Sequence, residues 1–421
     1  MKITPFKFIH CADLHLDSPF ECIQSIDPEI ASKLRDATFG AFENVVDLAI
    51  KEDVDFLIVA GDVYDGADRS LRAQWRFYDA LRRAADSGIQ CFVTHGNHDP
   101  LDGWEAKLEV PGGVYRFGGE EVRHRIAKKG GEELAYIYGI SYPSREINEN
   151  LASRFSREDG APFAVGVLHC NVGVAPGHDN YAPCMVDDLV ACGMDYWALG
   201  HIHARKVLRE SAPCIVYSGN TQGRSVRELG ARGCYLVNVN EAGHIETKFM
   251  PTDVIRWFVE DVDIADLETL DTLINTLIYR CTEARDRAGG RDVMLRIRLT
   301  GRGPVHEKLR HQESEIMGML KDGFAKQTPS VWIESIQNHT RLAVDILQRR
   351  QVEDFVGEFL RVSEELRTDT DAASTIRQLL TDSSDASIIV DQLEMLTDED
   401  LLSILDDAET MGLDWLLEGG A

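Results

Sequence analysis

The amino-acid sequence predicts a layered α/β domain, followed by a smaller α/β domain and a helical C-terminal region. Over the first 250 residues, short apolar runs alternate with amphipathic helical stripes, a pattern typical of layered α/β domains. The pattern changes after Pro251 and becomes mainly helical from about residue 341. At roughly 150 residues per domain, a chain of 421 residues has room for two or three domains. We therefore predict domains at 1–250, 251–340 and 341–421.

Seven short apolar runs in the first domain are typical of buried strands. They cover residues 6–12, 56–60, 91–94, 135–140, 163–168, 196–199 and 234–239. Apolar residues at spacings of three and four predict amphipathic helices over 30–48 and 71–85. Strands that alternate with helices imply right-handed crossovers and parallel pairing, whereas a turn at 240–243 indicates a later antiparallel pair. The sheet is therefore expected to be mixed.

The second domain is predicted to contain one helix and two strands. The helix covers residues 267–281, and the strands cover 293–299 and 331–336. Arg296 and Arg298 lie on the polar face of the first of these strands. They are candidate DNA contacts, although an ordinary exposed strand face would look the same.

The C-terminal region has amphipathic helical stripes and a strongly acidic end. Ile389, Leu393, Leu401 and Leu405 fall at helical spacings, so they either dock on a partner or fold back on their own chain. The last forty residues carry twelve of the acidic side chains and no lysine or arginine. The net charge of −27 argues against a protein that holds a polyanion by bulk attraction, but much of this charge lies in a segment that need not approach DNA.

The remaining composition favours a soluble protein of the cytoplasm that has no membrane segment. Hydrophobic residues make up 44% of the chain, and no apolar run approaches the ~20 residues that a membrane span requires. His10, Asp13 and His15 interrupt any apolar signal segment at the N-terminus. The nine cysteines are scattered and form no Cys-x-x-Cys pair, so we expect reduced thiols.

Side chains of the kind that bind metals recur where the predicted strands end. The seven candidate ligands are Asp13, His15, Asp62, Asn97, His169, His201 and His203. The carboxyl ends of strands in an open α/β sheet border one crevice, so these side chains should converge there. A single Asp-x-His or His-x-His pair is more often a surface pair or a satisfied core histidine. Five clusters that each follow a strand favour a metal centre instead.

The number of candidate ligands favours two divalent ions rather than one. Two ions roughly 3.5–4 Å apart activate a bridging water and stabilise both the attacking and the leaving oxygen of an in-line displacement. Asp62 is the preferred bridging carboxylate. His98 is left as a donor to the phosphate or leaving oxygen, with Asp99 positioned to orient it. Imidazole and carboxylate ligands without thiolate favour manganese or iron over magnesium.

The order Asp-x-His, Gly-Asp, Gly-Asn-His-Asp, His and Gly-His-x-His over residues 13–203 resembles the calcineurin-like metallophosphoesterase superfamily. Residues 8–17 and 219–224 are similar to those of the YhaO-type DNA repair exonucleases, which are related to SbcD, the nuclease subunit of the SbcCD complex. Arg224 and Arg227, in and after the second of these segments, either contact phosphates or lie in a solvated loop.

The resemblance implies a four-layer sandwich of two mixed sheets flanked by helices, followed by a capping domain. It assigns Asp13, His15, Asp62 and His203 to one ion, and Asp62, Asn97, His169 and His201 to the other. It also implies that His98 is the catalytic histidine. The implied reaction is manganese-supported hydrolysis of DNA phosphodiester bonds, exonucleolytic or endonucleolytic, in double-strand-break repair and recombination.

The resemblance further implies that the chain works as a homodimer with an SbcC-like coiled-coil ATPase bound near its C-terminus. The sequence has no Gly-rich phosphate loop of the Walker type, so any ATP-dependent step belongs to that partner. The alternative function is that of a phosphomonoesterase or small-molecule phosphodiesterase, because the same metal site serves those substrates. A scaffold without hydrolytic activity would not need the full ligand set.

Overall fold

The protein is described by a computed structural model that covers residues 3–18, 28–66, 70–173, 181–382 and 396–417. Among these residues, no helix combines the length and the apolar character that crossing a membrane requires. Contacts divide the described chain into two compact units. The first contains residues within 1–259, 281–296 and 321–334, and the second contains residues within 260–280, 297–320 and 335–421. The domain boundaries at 250 and 340 stay a prediction.

The first unit contains two six-stranded sheets. In chain order their strands are β1 (Phe6–Cys11), β2 (Phe56–Ala60), β3 (Gln90–Thr94), β4 (Val114–Arg116), β5 (Arg123–Lys129), β6 (Glu132–Gly139), β7 (Ala164–His169), β8 (Tyr196–Gly200), β9 (Lys206–Arg209), β10 (Cys214–Tyr217), β11 (Gly233–Val239) and β12 (Ile245–Pro251). The first sheet has the order β12-β11-β1-β2-β3-β4, and the second has the order β5-β6-β7-β8-β10-β9.

Both sheets are mixed, as the sequence predicts. In the first sheet, β1, β2, β3 and β4 are parallel, whereas β11 pairs antiparallel with both β1 and β12. In the second sheet, β6, β7, β8 and β10 are parallel, and the edge strands β5 and β9 are antiparallel. Parallel neighbours have their carboxyl ends at one edge of the sheet, so the segments that follow β1, β2, β3, β7 and β8 are brought together.

Aromatic packing joins the two sheets face to face. Phe8 on β1 stacks on Phe56 on β2 with ring centroids 4.7 Å apart, and it meets Tyr196 on β8 edge-on at 5.2 Å. All three side chains are buried in one core that draws residues from both sheets. The outer faces are covered by the helices α1 (Pro28–Lys51) and α2 (Leu71–Asp86) on the first sheet and α3 (Val186–Ala191) on the second. The four-layer arrangement of two mixed sheets flanked by helices is therefore confirmed.

The strands that the sequence analysis missed are mainly those at the sheet edges. β4, β5, β9 and β12 form the four edges, and the sequence analysis predicts none of them as a strand, although the turn at 240–243 implies a partner strand where β12 lies. β5 reads RHRIAKK and is exposed at most positions. Edge strands use polar and charged side chains to prevent pairing with other chains, so the apolar signal of a buried strand is absent.

The rest of the described chain adds two small sheets and six helices. The elements are β13 (Ile255–Asp263), α4 (Leu270–Arg287), β14 (Asp292–Thr300), β15 (Arg302–Gly303), α5 (His306–Phe324), β16 (Val331–Asn338), β17 (Arg341–Leu342), α6 (Ile346–Arg350), α7 (Phe355–Thr368), α8 (Ala372–Thr381) and α9 (Asp398–Leu417). The order β13-β14-β16 forms a three-stranded sheet, and β15 pairs with β17. In the second predicted domain, the sequence pattern predicted helix α4 and the strands β14 and β16, but it missed β13 and α5.

The acidic helix α9 folds back on its own chain. It packs against α7 and α8, and its Leu401 is fully buried. The Asp414 carboxylate lies 2.6 Å from Arg302 and 3.0 Å from Arg341. Leu401 is therefore a core residue of this unit, and Leu405 is partly buried. Ile389 and Leu393, the other two proposed docking residues, lie outside the described residues.

Candidate metal centre

The segments that follow β1 and β2 remain paired beyond the ends of the strands. The backbone N–H of Asp13 donates to Gly61 O, and that of His15 donates to Asp62 O, each at 3.1 Å. These bonds bring three of the predicted ligands together. Asp13, His15 and Asp62 have φ values of 51°, 43° and 49°, and His201 after β8 has a φ of 98°. Residues with a Cβ rarely adopt this left-handed region, and such strain persists where the surroundings over-determine it, often at functional sites.

One group of candidate ligand atoms comes from Asp13, His15 and His203. These atoms lie within 4.8 Å of one another. The Nε2 atoms of His15 and His203 face each other at 3.0 Å, although the two residues are far apart in sequence. Two imidazole nitrogens directed at one point are well placed to share a cation.

A second group comes from Asp13, Asp62 and His169 and is fully buried. Asp62 Oδ2 lies 3.3 Å from His169 Nε2 and 3.8 Å from His15 Nε2, so this carboxylate reaches both groups. Asn97 extends the second group because its side-chain oxygen lies 3.0 Å from His169 Nε2. That Asp62 bridges two ions stays a prediction.

His201 joins the same cluster. Its backbone N–H donates to Asp13 Oδ1 at 2.9 Å, and its ring lies 5.3 Å from that of His169. The structure thus brings all seven predicted ligands to one place. Their division between two ions stays a prediction.

Burial and opposite charges shift the pKa values of these groups in different directions. Burial raises the pKa of Asp13 and lowers that of His15 to about 3. Burial alone would raise the pKa of Asp62 too, but the neighbouring imidazoles, above all that of His169, hold it below its usual range. Burial would lower the pKa of His169, but the carboxylates of Asp62 and Asp13 raise it to about 9. A proton therefore resides on His169 when no cation compensates these carboxylates.

The donor chemistry of the cluster fits divalent cations. Asp13 Oδ2 is buried and has no hydrogen-bond partner among the described residues, which is costly unless a cation or a donor reaches it. The cluster offers carboxylate, amide and imidazole atoms. The nearby Cys170 thiol instead lies 3.8 Å from that of Cys184. Nitrogen and oxygen donors without thiolate suit manganese, iron or zinc better than magnesium.

Outer contacts orient two of the imidazoles. His203 Nδ1 donates to Glu228 Oε1 at 2.6 Å, and His169 Nδ1 donates to Ala60 O at 3.0 Å. Each contact leaves Nε2 directed at the cluster, as in metal sites whose histidines are held by a carboxylate or a carbonyl. Burial would raise the pKa of Glu228, but His203 and Arg224 lower it to about 2.

His98 borders the cluster and is hydrogen-bonded to Asp65. Its Nδ1 lies 2.8 Å from Asp65 Oδ1, and its side chain is 35% exposed. Asp65 Oδ2 in turn accepts from Ser18 Oγ at 2.5 Å and from the Arg224 guanidinium at 3.0 Å. A buried hydroxyl and an arginine thus fix the carboxylate that holds His98.

Asp99, to which the sequence analysis gave the orienting role, makes other contacts. Its carboxylate accepts from His95 Nδ1 and from Gly96 N, each at 2.7 Å, and from Val63 N at 2.9 Å. The side chain therefore ties the loop after β3 to that after β2. The contact expected between Asp99 and His98 is made by Asp65.

The four arginines predicted to contact DNA differ in their surroundings. Arg224 is held by Asp65 and Ser18. Arg296 donates twice to Glu334 at 2.6 and 2.7 Å, and Arg298 donates twice to Asp261 at 2.6 and 2.8 Å. Arg227 is exposed, and no carboxylate contacts its side chain within the described ranges. A direct role for these arginines at DNA stays a prediction. Arg227 differs from the other three because no carboxylate among the described residues forms an ion pair with it.

The cluster opens into a cavity of ≈600 Å³. Its lining includes His98 and the candidate ligands Asp62, Asn97 and His201. It also includes the Glu228 carboxylate and three arginines, Arg224, Arg227 and Arg232. A phosphate ester that enters the cavity would therefore meet the cluster, a histidine and three guanidinium groups.

Two mixed sheets with a buried cluster of carboxylates and imidazoles at their strand ends define a metal-dependent phosphoesterase. A model of the calcineurin-like phosphoesterase family matches residues 6–205, and a model of the middle domain of the metallophosphoesterase YhaO matches residues 257–341. The chain belongs to the calcineurin-like metallophosphoesterase family. Members of this family bind two divalent metals.

Among curated proteins, the chain is 37% identical over 340 residues to the metallophosphoesterase YhaO of Bacillus subtilis, covering 80% of this chain and 83% of that protein. It is 26% identical to the DNA double-strand break repair protein Mre11 of Aeropyrum pernix, covering 69% and 80%. It is also 24% identical to SbcD of the nuclease SbcCD of Bacillus subtilis, covering 53% and 63%.

Several residues of the site were not identified from the sequence. Asp65 lies three residues after Asp62 in the same loop, and this spacing is a signal that could have been used. Glu228 and Arg232 carry no comparable signal. Their proximity to His203 arises from the return of the chain between β10 and β11, which only the tertiary structure shows.

The raised pKa of His169 predicts that metal uptake releases protons. At pH 8 the metal-free protein holds a proton on His169, because its pKa is about 9, and a ligating imidazole must be neutral. We expect release of about one proton per protein from this residue at pH 8, and an apparent Mn²⁺ affinity that rises with pH and levels off above about pH 9. Calorimetric titration in two buffers of different ionisation enthalpy measures this number.

The matched control is His244→Ala, which removes a histidine at the turn between β11 and β12 and should leave the proton count unchanged. Manganese uptake without proton release at pH 8 would contradict the protonated state of His169.

Proposed function

We propose that the protein is a manganese-dependent DNA nuclease that hydrolyses phosphodiester bonds as an exonuclease and endonuclease in double-strand-break repair. The observation that carries this proposal is the placement of His98 and its Asp65 partner beside the seven-ligand cluster, in one open cavity lined by arginines. The relatives named as a double-strand break repair protein and as part of a nuclease support DNA as the substrate.

The residues of the site have two proposed roles in hydrolysis. Seven of them bind the ions, and His98 transfers a proton. One ion would be held by Asp13, His15, Asp62 and His203, and the other by Asp62, Asn97, His169 and His201. When bound, two divalent ions supply Lewis-acid activation of water and neutralise charge on the phosphate. Manganese suits this mixture of imidazole and oxygen donors.

His98 serves as the general acid that donates a proton to the leaving oxygen. It is partly exposed in the cavity, whereas the ligating imidazoles are more enclosed. Asp65 accepts from His98 Nδ1, so Nε2 is directed away from this contact, toward the substrate side. We therefore assign to Asp65 the orienting role first given to Asp99.

A comparison of substrates tests the proposed function directly. With Mn²⁺, we expect the wild-type protein to degrade linear duplex and single-stranded DNA. We expect the kcat of His98→Ala to fall at least a hundredfold, because general acid catalysis contributes about 10²–10⁴-fold to the rate. The variant should keep its Mn²⁺ affinity. Gel assays of labelled DNA and calorimetry measure both quantities.

The alternative function, that of a phosphomonoesterase or a small-molecule phosphodiesterase, predicts a different outcome. Turnover of p-nitrophenyl phosphate or its bis ester without cleavage of any DNA would favour it and contradict the nuclease. Unchanged DNA cleavage by His98→Ala would remove this residue from the reaction.

The role of Asp65 predicts a loss of turnover without a loss of metal. Asp65→Asn keeps the shape of the side chain but weakens the hydrogen bond that orients His98. We expect kcat to fall about 10–100-fold, the range seen for residues that orient a site's ligands, and the Mn²⁺ affinity to stay within about threefold. Asp79→Asn, at an exposed residue paired with Arg82, is the control. A parallel loss of Mn²⁺ affinity would show that Asp65 is itself a ligand.

We also propose that the C-terminal helices bind a coiled-coil ATPase, in keeping with the relative that forms part of SbcCD. Phe355 on α7 is 75% exposed and Trp415 on α9 is 63% exposed, so each offers a large apolar surface to a partner. The net charge of −27 further suggests that the isolated chain binds DNA weakly and gains affinity from such a complex.

Substitution of these two residues tests the partner surface. With a purified SbcC-like coiled-coil ATPase, we expect Phe355→Ser and Trp415→Ser each to weaken the complex at least tenfold in sedimentation or calorimetry. Trp75→Ser on α2, which removes an equally exposed tryptophan, is the control. Undiminished binding by both variants would exclude this surface.

A further inference from the structure

A second cavity adjoins the one at the metal centre. It has a volume of ≈300 Å³ and shares His203, Ala204 and Arg232 with the first cavity. Arg205 and Phe249 line its far part. The second cavity therefore borders the first at these shared residues, and we call its lining, including them, the groove.

The arginines of this groove form no ion pair with a carboxylate among the described residues, and the Glu228 and Asp253 carboxylates act on Arg232 only from a longer distance. Arg232 donates to His203 O at 2.6 Å, to Asn220 Oδ1 at 3.1 Å and to Leu229 O at 3.3 Å, all of them uncharged acceptors. Arg205 donates to Ala231 O at 2.8 Å. Within the described parts of the chain, no carboxylate lies in ion-pair distance of either guanidinium. In a chain with 71 acidic and 44 basic residues, this differs from the bidentate pairs of Arg296 and Arg298.

The groove also presents an aromatic and guanidinium stack. The Arg205 guanidinium lies over the Phe249 ring at 4.0 Å from its centroid, and Phe249 remains partly exposed. Planar arginine and aromatic surfaces are those on which unpaired bases stack, and such stacking does not depend on the identity of the base.

A close backbone contact joins two segments that line the groove. Gly219 has a φ of 73°, and a Cβ at this position would lie 2.7 Å from His203 O and 2.8 Å from Arg205 N. The chain after β10 therefore packs directly on the segment that carries both a candidate metal ligand and Arg205.

We propose that this groove binds the single nucleic-acid strand next to the scissile phosphate, with Arg232 and Arg205 at its backbone phosphates and the Arg205–Phe249 stack beneath a base. The inference rests on the proposed nuclease function and adds that the substrate is single-stranded next to the scissile phosphate. A cavity of ≈300 Å³ is at the lower end of the range for small-ligand sites, so it accommodates a nucleotide rather than a duplex. The protein would therefore act on strands that are unpaired beside the cleavage point.

Binding without metal tests the groove separately from catalysis. Fluorescence anisotropy in EDTA at low salt compares labelled oligothymidylates of two and six nucleotides with a G·C-rich duplex of about fifteen base pairs, which is long enough to stay paired. We expect the wild type to bind the six-nucleotide strand at least tenfold tighter than the dinucleotide and tighter than the duplex. Arg205→Gln should weaken binding of the six-nucleotide strand at least fivefold and reduce the slope of log K against log salt by about 0.7, the value for one lost phosphate contact.

Two further variants separate the contributions of base stacking and of positive charge to the affinity for the strand. Phe249→Leu keeps an apolar side chain but removes the stacking surface, and it should weaken binding at least fivefold without changing the salt slope. Arg82→Gln on α2 removes one positive charge from an exposed residue outside the groove and should change neither quantity.

The other outcomes of the binding experiment separate the groove from the nuclease activity. Equal affinity for two and six nucleotides, tighter binding of the duplex, no binding of the six-nucleotide strand by the wild type, or an Arg205→Gln variant that binds normally would overturn the groove. A wild type that binds the strand as expected but cleaves no DNA with Mn²⁺ would contradict the proposed function and leave the groove intact.

Discussion

Two buried carboxylates, from Asp13 and Asp62, hold together the strand ends of both sheets. Asp13 follows β1 of the first sheet and accepts the backbone N–H of His201, which follows β8 of the second. Asp62 accepts the N–H of His98 and faces His169 across the sheets. A buried carboxylate is stable only when donors or cations surround it, so the two sheets must place their donor-bearing loops around this point. The cavity, the orientation of His98 and the adjoining groove depend on this arrangement.

The ligand cluster could be predicted from the sequence because its residues follow buried parallel strands. A candidate ligand lies at the end of an apolar run, or within three residues after it, in each of five strands: β1, β2, β3, β7 and β8. The parallel order of the strands brings those ends together. The edge strands could not be predicted, since their polar side chains carry no apolar signal. The contacts of Glu228 and Arg232 with His203 could not be predicted from the sequence either, because they depend on the path of the chain after β10. Proximity in sequence also predicted the wrong partner for His98. Its hydrogen bond is to Asp65 and not to the adjacent Asp99.

Net charge and local charge describe different properties of this molecule. The chain carries −27 overall, and twelve acidic residues fall in its last forty. Arg224, Arg296 and Arg298 are neutralised by carboxylates, whereas Arg205, Arg227 and Arg232 have no carboxylate partner within the described residues. Arginines that form no ion pair therefore border the cluster, although the Glu228 carboxylate lies in the same cavity. Such a distribution favours recognition of a short stretch of phosphates over general attraction to a polyanion.

The left-handed backbone of Asp13, His15, Asp62 and His201 has a consequence for stability. Backbone bonds to neighbouring loops hold Asp13 and His15 in these conformations. Glycine adopts this region without steric cost, yet none of the four positions carries glycine. The chain thus accepts a local loss of stability at the positions where it places candidate ligand atoms.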